Sequence, residues 1–256
     1  HVRVSFPSSQ VIIKELTVPF LDVEKIRMVV EYEIEPSIPF KLEEAVVDFV
    51  VVEKSQVKNA STILVAAAQL EEVKKFVETF QKAGIEPSVV TIDTFGLADL
   101  FGNIPIYTKL KHAYALVDVG LTTTRIALIN EHVLVATRTI NMGSLAPPTK
   151  TGATATAKGI AAHQAKLFKE VSYTLDSFEI KRTEPVKVEK LFFIGDRELF
   201  SVFESFVSDS LRLPCELFAS EQIAKIPGVI NKIGAQNNIT KSNFVKNKLL
   251  AAQNLN

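Results

Sequence analysis

The apolar runs of this chain are all of strand length, and that limits what it can build. The longest, Ala45–Val52 (broken by Asp48) and Ile63–Ala68, fall far short of the roughly 18–20 residues that a helix needs to cross a bilayer. A shorter run, Leu191–Ile194, shows no polar alternation and reads as a strand buried on both faces. With 256 residues, 47% of them hydrophobic, the chain can bury a sizeable core as one large domain or two smaller ones. Its 29 Lys+Arg balance 29 Asp+Glu, which removes the electrostatic footprint of a general nucleic-acid binder. Cys215 is the single cysteine, which excludes an internal disulfide and a cysteine-based zinc site. The sequence shows no leader pattern and begins at His1, directly in a strand-like run. The reading is of a cytosolic mixed α/β protein that is a piece of something longer.

Val2–Phe6 and Val11–Val18 read as strands around a turn at Pro7-Ser8-Ser9. Asp22 is placed to cap a helix with Ile26, Val29, Val30 and Ile34 on one face, closed by Pro36 and Pro39. Val46–Glu53 and Thr62–Ala67 are strands. Glu71–Ala83 is an amphipathic helix with Val73, Phe76, Val77 and Phe80 inward, ending on Gly84. The strand Val89–Ile92 leads into a helix, Thr94–Phe101, capped by Asp93. The first hundred residues thus order as ββαββαβα, and the polar linker Gly102–His112 marks a domain boundary. Tyr114–Val119, Arg125–Ile129 and Val133–Ile140 then form an antiparallel meander. Gly143–Ala162, small and polar, reads as a flexible loop, Lys166–Ile180 and Glu198–Leu211 as helices, and Cys215–Phe218 as a last short strand. In the tail Lys241–Asn256 a surface helix has only a thin apolar face, poor for membrane binding.

The sharpest local feature is Asp118-Val-Gly-Leu-Thr-Thr-Thr124, set between two strands. Gly120 permits a tight turn, successive amides with the hydroxyls of Thr122, Thr123 and Thr124 can face phosphate oxygens, and Asp118 can hold a magnesium-bound water. An ordinary hairpin turn has the same composition. Gly195-Asp196, after the buried strand and before a helix, is a second junction of a kind that approaches ligands, although most such junctions only turn the chain. Arg138 reads as part of a solvated strand face, and Glu31–Glu44 as a solvated acidic helix face. His112 and His132 stand far in sequence from any spaced carboxylate, and His163 falls in the loop. No Ser/His/Asp order stands out, so nucleophilic hydrolysis has no support.

Taken in order, the elements resemble the PilM family of type IV pilus assembly proteins. More distantly they are similar to the cell-division protein FtsA and the cytoplasmic part of the secretion protein GspL. The resemblance runs over about residues 2–218. It begins with Val2–Ile13 and continues through Ile38-Pro39-Phe40 with Glu43, Glu44 and Asp48. Leu64–Ala68, Ala83–Pro87 and Val90–Asp93 follow, then Asp118–Thr124, Thr137-Arg138 with Gly143, and Leu191–Gly195 with the helix to Leu213-Pro214.

The resemblance implies an actin-like, ribonuclease H-like α/β fold in which the first core domain is largely missing. Residues 1–90 would be a small module like the 1C (SHS2-like) insertion of FtsA, 91–110 a connector to the remnant of the first core domain, and 111–256 the second core domain with a loop at 143–162. It implies ATP phosphates held by Asp118, Gly120, Thr122, Thr123, Thr124 and Gly195, with magnesium reached from Asp118 through water. Three departures weaken that implication: no first phosphate hairpin, Asp196 where relatives have a second glycine, and a shortened segment after Gly143. It also implies a cytoplasmic scaffold peripheral to the inner membrane. The scaffold would bind the N-terminal tail of a PilN-like membrane protein and, as further partners, motor ATPases, with no nucleic acid. The alternatives left open are an actin-like ATPase and an FtsA-like cell-division protein.

Overall fold

The protein is described by a computed structural model that covers residues 2–104, 107, 110, 112–146, 156–180 and 186–218. The tail Lys241–Asn256 and the middle of the 143–162 segment lie outside the described residues. The chain divides into two compact units at Leu100/Phe101, ahead of the polar stretch 102–112 that composition singles out.

In the first unit, strands β1 (Val2–Phe6) and β5 (Pro87–Ile92) pair in parallel, with Phe6 opposite Ile92. Everything between them is an insertion built on a three-stranded antiparallel sheet of β2 (Val11–Val18), β4 (Ala60–Gln69) and β3 (Ala45–Ser55), in that order. β1 is therefore no part of the small sheet that follows it in sequence. Helix α1 (Val23–Ile34) starts where expected, because the Asp22 carboxylate accepts the amides of Glu24 and Lys25 at 2.9 and 3.0 Å. Its spacing lays Ile26, Val30 and Ile34 on Val18, Phe49, Ile63, Val65 and Ala67 of the sheet. Each such fully buried aliphatic side chain is worth about 1.5–3 kcal/mol over its exposed state. Because strand side chains alternate, Asp48, paired with Ala66, falls on the face of the sheet opposite to Phe49 and Val65.

Helix α2 (Leu70–Lys82) follows β4 without a loop and buries Val73, while Phe76 meets Phe6 edge-on at 5.2 Å. It ends as its composition predicts: Gly84 takes φ +73°, and the amides of Gly84 and Ile85 bond the Gln81 and Phe80 carbonyls. Helix α3 (Asp93–Gly102) leaves directly from β5. The Asp93 carboxylate holds its own helix start through Thr94 N–H at 2.7 Å and reaches across to Ser8 N–H at 3.1 Å, fixing the turn after β1.

The second unit is a five-stranded sheet in the order β10-β9-β6-β7-β8. Strands β6 (Tyr114–Val119), β7 (Thr124–Asn130) and β8 (Val133–Ile140) form the antiparallel meander read from the sequence. β9 (Lys190–Ile194) and β10 (Cys215–Leu217) run parallel to β6 and are reached through helices α4 (Ala157–Ile180) and α5 (Arg197–Phe206). Three antiparallel strands with two parallel strands added beside the first is the ribonuclease H-like sheet from which actin-like proteins are built, and the fold is of that class. Leu191, Phe192 and Phe193 are fully buried, as an uninterrupted apolar strand requires. On one side Phe101 stacks on Tyr107 at 4.2 Å and tilts against Phe192 and Phe218 at 4.9 and 4.8 Å. The Tyr114 hydroxyl, buried in this cluster, is pushed up to about 12 by loss of solvent.

One boundary differs from expectation. α4 begins at Ala157, inside the stretch read as loop to Ala162. Thr156 caps it, accepting Gly159 N–H at 3.2 Å on its hydroxyl, and alanine-rich sequence propagates well from a capped start. The helix after β9 ends in a single wide turn, Val207–Leu211, closed by Arg212 in the left-handed region at φ +54°.

Candidate functional site

The turn between β6 and β7 is Gly120-Leu121-Thr122-Thr123, closed by Gly120 N–H donating to the Thr123 carbonyl at 3.0 Å. Counting outward, Val119 pairs with Thr124 and Asp118 with Arg125. The Arg125 guanidinium donates to Asp118 Oδ2 at 2.8 Å, with both side chains about three-quarters buried. Thr124 is fully buried and its hydroxyl donates to the Met142 carbonyl at 2.8 Å. The outward parts of the turn are Leu121, which is 70% exposed, Thr122, also exposed, and the half-buried Thr123.

The chain leaving β8 crosses directly over this turn. Ser144 N–H and Leu145 N–H donate to the carbonyls of Gly120 and Leu121, each at 2.9 Å. Between them Gly143 lies so close that a Cβ would fall on the Gly120 carbonyl oxygen and the Leu121 backbone. His163, which sequence position assigns to an inert loop, lies instead in α4, and its Nε2 stands 2.8 Å from the Gly143 carbonyl.

Gly195 ends β9 beside the same turn, where the parallel strands β6 and β9 finish. Its φ of +152° is rare for a side-chain-bearing residue, and a Cβ would meet the Val119 carbonyl and the Phe193 ring, each at 3.0 Å. Asp196 turns its carboxylate onto α5, accepting Glu198 and Leu199 N–H at 2.8 and 3.1 Å. The anion-binding start of that helix is thereby filled from within the chain.

The structure therefore brings Asp118, Gly120, Thr122, Thr123, Thr124 and Gly195 to one end of one sheet. Sequence reasoning missed Arg125 as the partner of Asp118, although the four-residue turn already sets the two opposite each other. Arg138 is exposed, as read. His112, thought remote from any carboxylate, has Glu189 Oε1 3.3 Å from its Nδ1, a contact between exposed groups of little energetic weight. Among the described residues no three His, Cys, Asp or Glu side chains gather as metal ligands.

A second constellation lies in the first unit. Asp48, the one charge in the apolar run of β3, is 5% exposed. Its Oδ1 accepts Phe49 N–H at 2.9 Å and stands 3.7 Å from Arg27 Nη1, whose guanidinium lies over the Phe49 ring. Its Oδ2 is buried with no hydrogen-bond partner, a state that costs about 1–3 kcal/mol, and more for a charged group. Burial raises the carboxyl above its usual range, outweighing the Phe49 amide and Arg27, which pull it down. Asp48 lines a small, half-open pocket with Phe49, Val50, Leu64, Ala66, Ile92 and Phe95.

Two outcomes follow from this geometry. Gly143→Ala forces backbone apart at the turn and should lower stability by about 2–4 kcal/mol in urea unfolding, from overpacking and the two amide bonds it disturbs. Gly84→Ala, whose Cβ meets no atom, carries only left-handed strain of about 1–2 kcal/mol. A wild-type midpoint for Gly143→Ala refutes the close approach. For Asp48, the folded-state carboxyl titrates above its unfolded value of 3.8, so its favourable contribution is complete below 3.8 and lost as pH rises through the folded value. The stability of Asp48→Asn relative to wild type should accordingly rise as pH climbs above 3.8, and a flat difference contradicts the raised titration.

The family model for the type IV pilus assembly protein PilM matches residues 1–146, more than half of the chain. A chain of the solved PilM–PilN type IV pilus biogenesis complex superposes with a TM-score of 0.69 at 21% identity, covering 87% of this chain and 74% of that one. Looser likenesses include a Bacteroides thetaiotaomicron protein with an actin-like ATPase fold and unknown function (TM-score 0.48, 8% identity, 85% and 68% covered). Another is the cytoplasmic domain of EpsL, an inner-membrane component of the type II secretion system of Vibrio cholerae (TM-score 0.46, 12% identity, 76% and 63% covered). No curated protein sequence matches. Family model and fold agree: the chain belongs to the PilM family of type IV pilus assembly proteins.

Proposed function

We propose that the chain works as a scaffold on the cytoplasmic face of the inner membrane, holding the N-terminal tail of a PilN-like membrane protein and so linking a pilus or secretion platform to its cytoplasmic motor ATPases. The observation that carries this reading is the family match together with the fold shared with a chain of the PilM–PilN complex. Among the described residues no helix is long and apolar enough to cross a membrane, and on this reading the membrane is reached through the partner. Tail capture needs a groove or a sheet edge rather than a reacting centre. Co-purification of the chain with the full-length PilN-like protein, and its loss when the cytoplasmic tail is deleted, tests the reading. Retention by the tail-less partner overturns it.

Nucleotide binding is the second reading, favoured by Gly195 lying against Val119, the residue before the Gly120–Thr123 turn, at the carboxyl ends of β6 and β9, where ligands enter α/β sheets. The residues fit ATP and magnesium poorly. The Thr124 hydroxyl already serves Met142, the Gly120 amide serves Thr123, Asp118 faces Arg125, and Asp196 occupies the start of α5. We derive no step through ATP and expect thermal unfolding midpoints with and without MgATP to coincide. A bound ligand at 100 times its dissociation constant adds about 2.7 kcal/mol, or roughly 5–10 °C here. A rise of that size, abolished by Asp118→Ala, restores the nucleotide reading.

A further inference from the structure

We propose that residues 241–256 of this chain dock on the outward face of α1, over Met28 and Tyr32. Ile26, Val30 and Ile34 turn inward onto the sheet. The opposite side of the helix carries Met28 and Tyr32, one turn apart and therefore neighbours on one face. They are 68% and 69% exposed. Single exposed apolar side chains are ordinary, whereas a methionine beside an aromatic ring on one helix face makes an adaptable contact surface. The charge around the pair is one-sided. By helical spacing Glu24, Glu31 and Glu35 follow one flank of it, with Lys25 on the other. Glu31, Glu33 and Glu35 also gather at the end of α1, where the helix carbonyls are already negative, and its last turn holds no basic residue. An arrangement that opposes the helix dipole is relieved by a cation arriving from outside the helix.

The chemistry of this face selects its occupant. An acidic border repels phosphate, nucleic acid and anionic lipid, and it favours a segment that joins lysines to apolar side chains. Residues 241–256 are such a segment. They hold Lys241, Lys246 and Lys248 without an Asp or Glu, together with Phe244, Val245, Leu249 and Leu250. The described chain runs to Phe218, and the stretch 219–240, at about 3.3 Å per extended residue, spans ~70 Å. That reach does not restrict where residues 241–256 land. Because segment and face belong to one chain, their encounter is intramolecular and acts at an effective concentration on the order of mM. A dilute separate partner of the same chemistry does not match it.

The test uses the full chain. Met28 and Met142 are its two methionines, so carbon-13 labelling of their methyl groups gives one reporter on α1 and one control. Lys246→Glu combined with Lys248→Glu should move the Met28 signal and leave that of Met142 in place. Tyr32→Ala should speed trypsin cleavage after Lys246 and Lys248 at least about fivefold, because cleavage follows the undocked population. Thermal midpoints check that each variant is folded. In an equal mixture of nitrogen-15-labelled and unlabelled chain, zero-length carbodiimide coupling should join lysines of 241–256 to α1 glutamates within one isotope. A Met28 signal unmoved by the lysine substitutions, or a cleavage rate unchanged by Tyr32→Ala, overturns the proposal. Couplings that mix the two isotopes also overturn it and assign the face to a second copy of the chain.

Discussion

The close passage of the chain after β8 over the β6–β7 turn governs the architecture of the second unit. Gly143 has no room for a Cβ, and the amides on its far side reach back to the Gly120 and Leu121 carbonyls. Met142 on its near side receives the Thr124 hydroxyl, and His163 at the start of α4 meets the Gly143 carbonyl. The end of the meander, the segment that leaves it and the first turns of the long helix are joined through a few backbone atoms. That joining also decides what the turn can do for a ligand. A glycine- and threonine-rich turn has the composition of a phosphate cradle, but donors directed into the protein are unavailable to an anion outside it. Composition alone does not distinguish the two uses. The hydrogen bonds show which of its groups the fold already engages, the Gly120 amide and the Thr124 hydroxyl.

Much of the fold was legible because its elements announce themselves locally. The Asp22 cap, the Gly84 stop, the apolar stripe of α1 and the unbroken run of β9 each depend on residues within one or two turns of one another. What resisted reading was long-range. Nothing in Val2–Phe6 says that its partner is Pro87–Ile92 rather than the strand that follows it, since parallel pairing across a whole inserted sheet leaves no short-range mark. The start of α4 was misread because Thr-, Gly- and Ala-rich sequence suits a loop and a capped helix equally. For the site, the hairpin residues and Gly195 were legible as candidates, while their hydrogen bonds were not. Arg125 was within reach of counting, and His163 was not, because its contact spans two elements.

The carboxylates of the protein divide by what surrounds them. Asp22 and Asp196 each take two amides at a helix start, Asp93 takes two amides that bind one turn to another, and Asp118 takes a guanidinium across a strand pair. All four are explained by folding. Asp48 differs: among the described residues its Oδ2 is the one buried carboxylate oxygen without a hydrogen-bond partner. In the sequence it is visible only as a charge interrupting Ala45–Val52. An apolar residue of similar size would relieve the desolvation that raises its titration and would extend the contact with Leu64, Ala66 and Phe95. Arg27 does not remove the difficulty, since it is half exposed and lies toward the other oxygen. Asp48 is therefore the one carboxylate among these whose surroundings in the fold do not repay its burial.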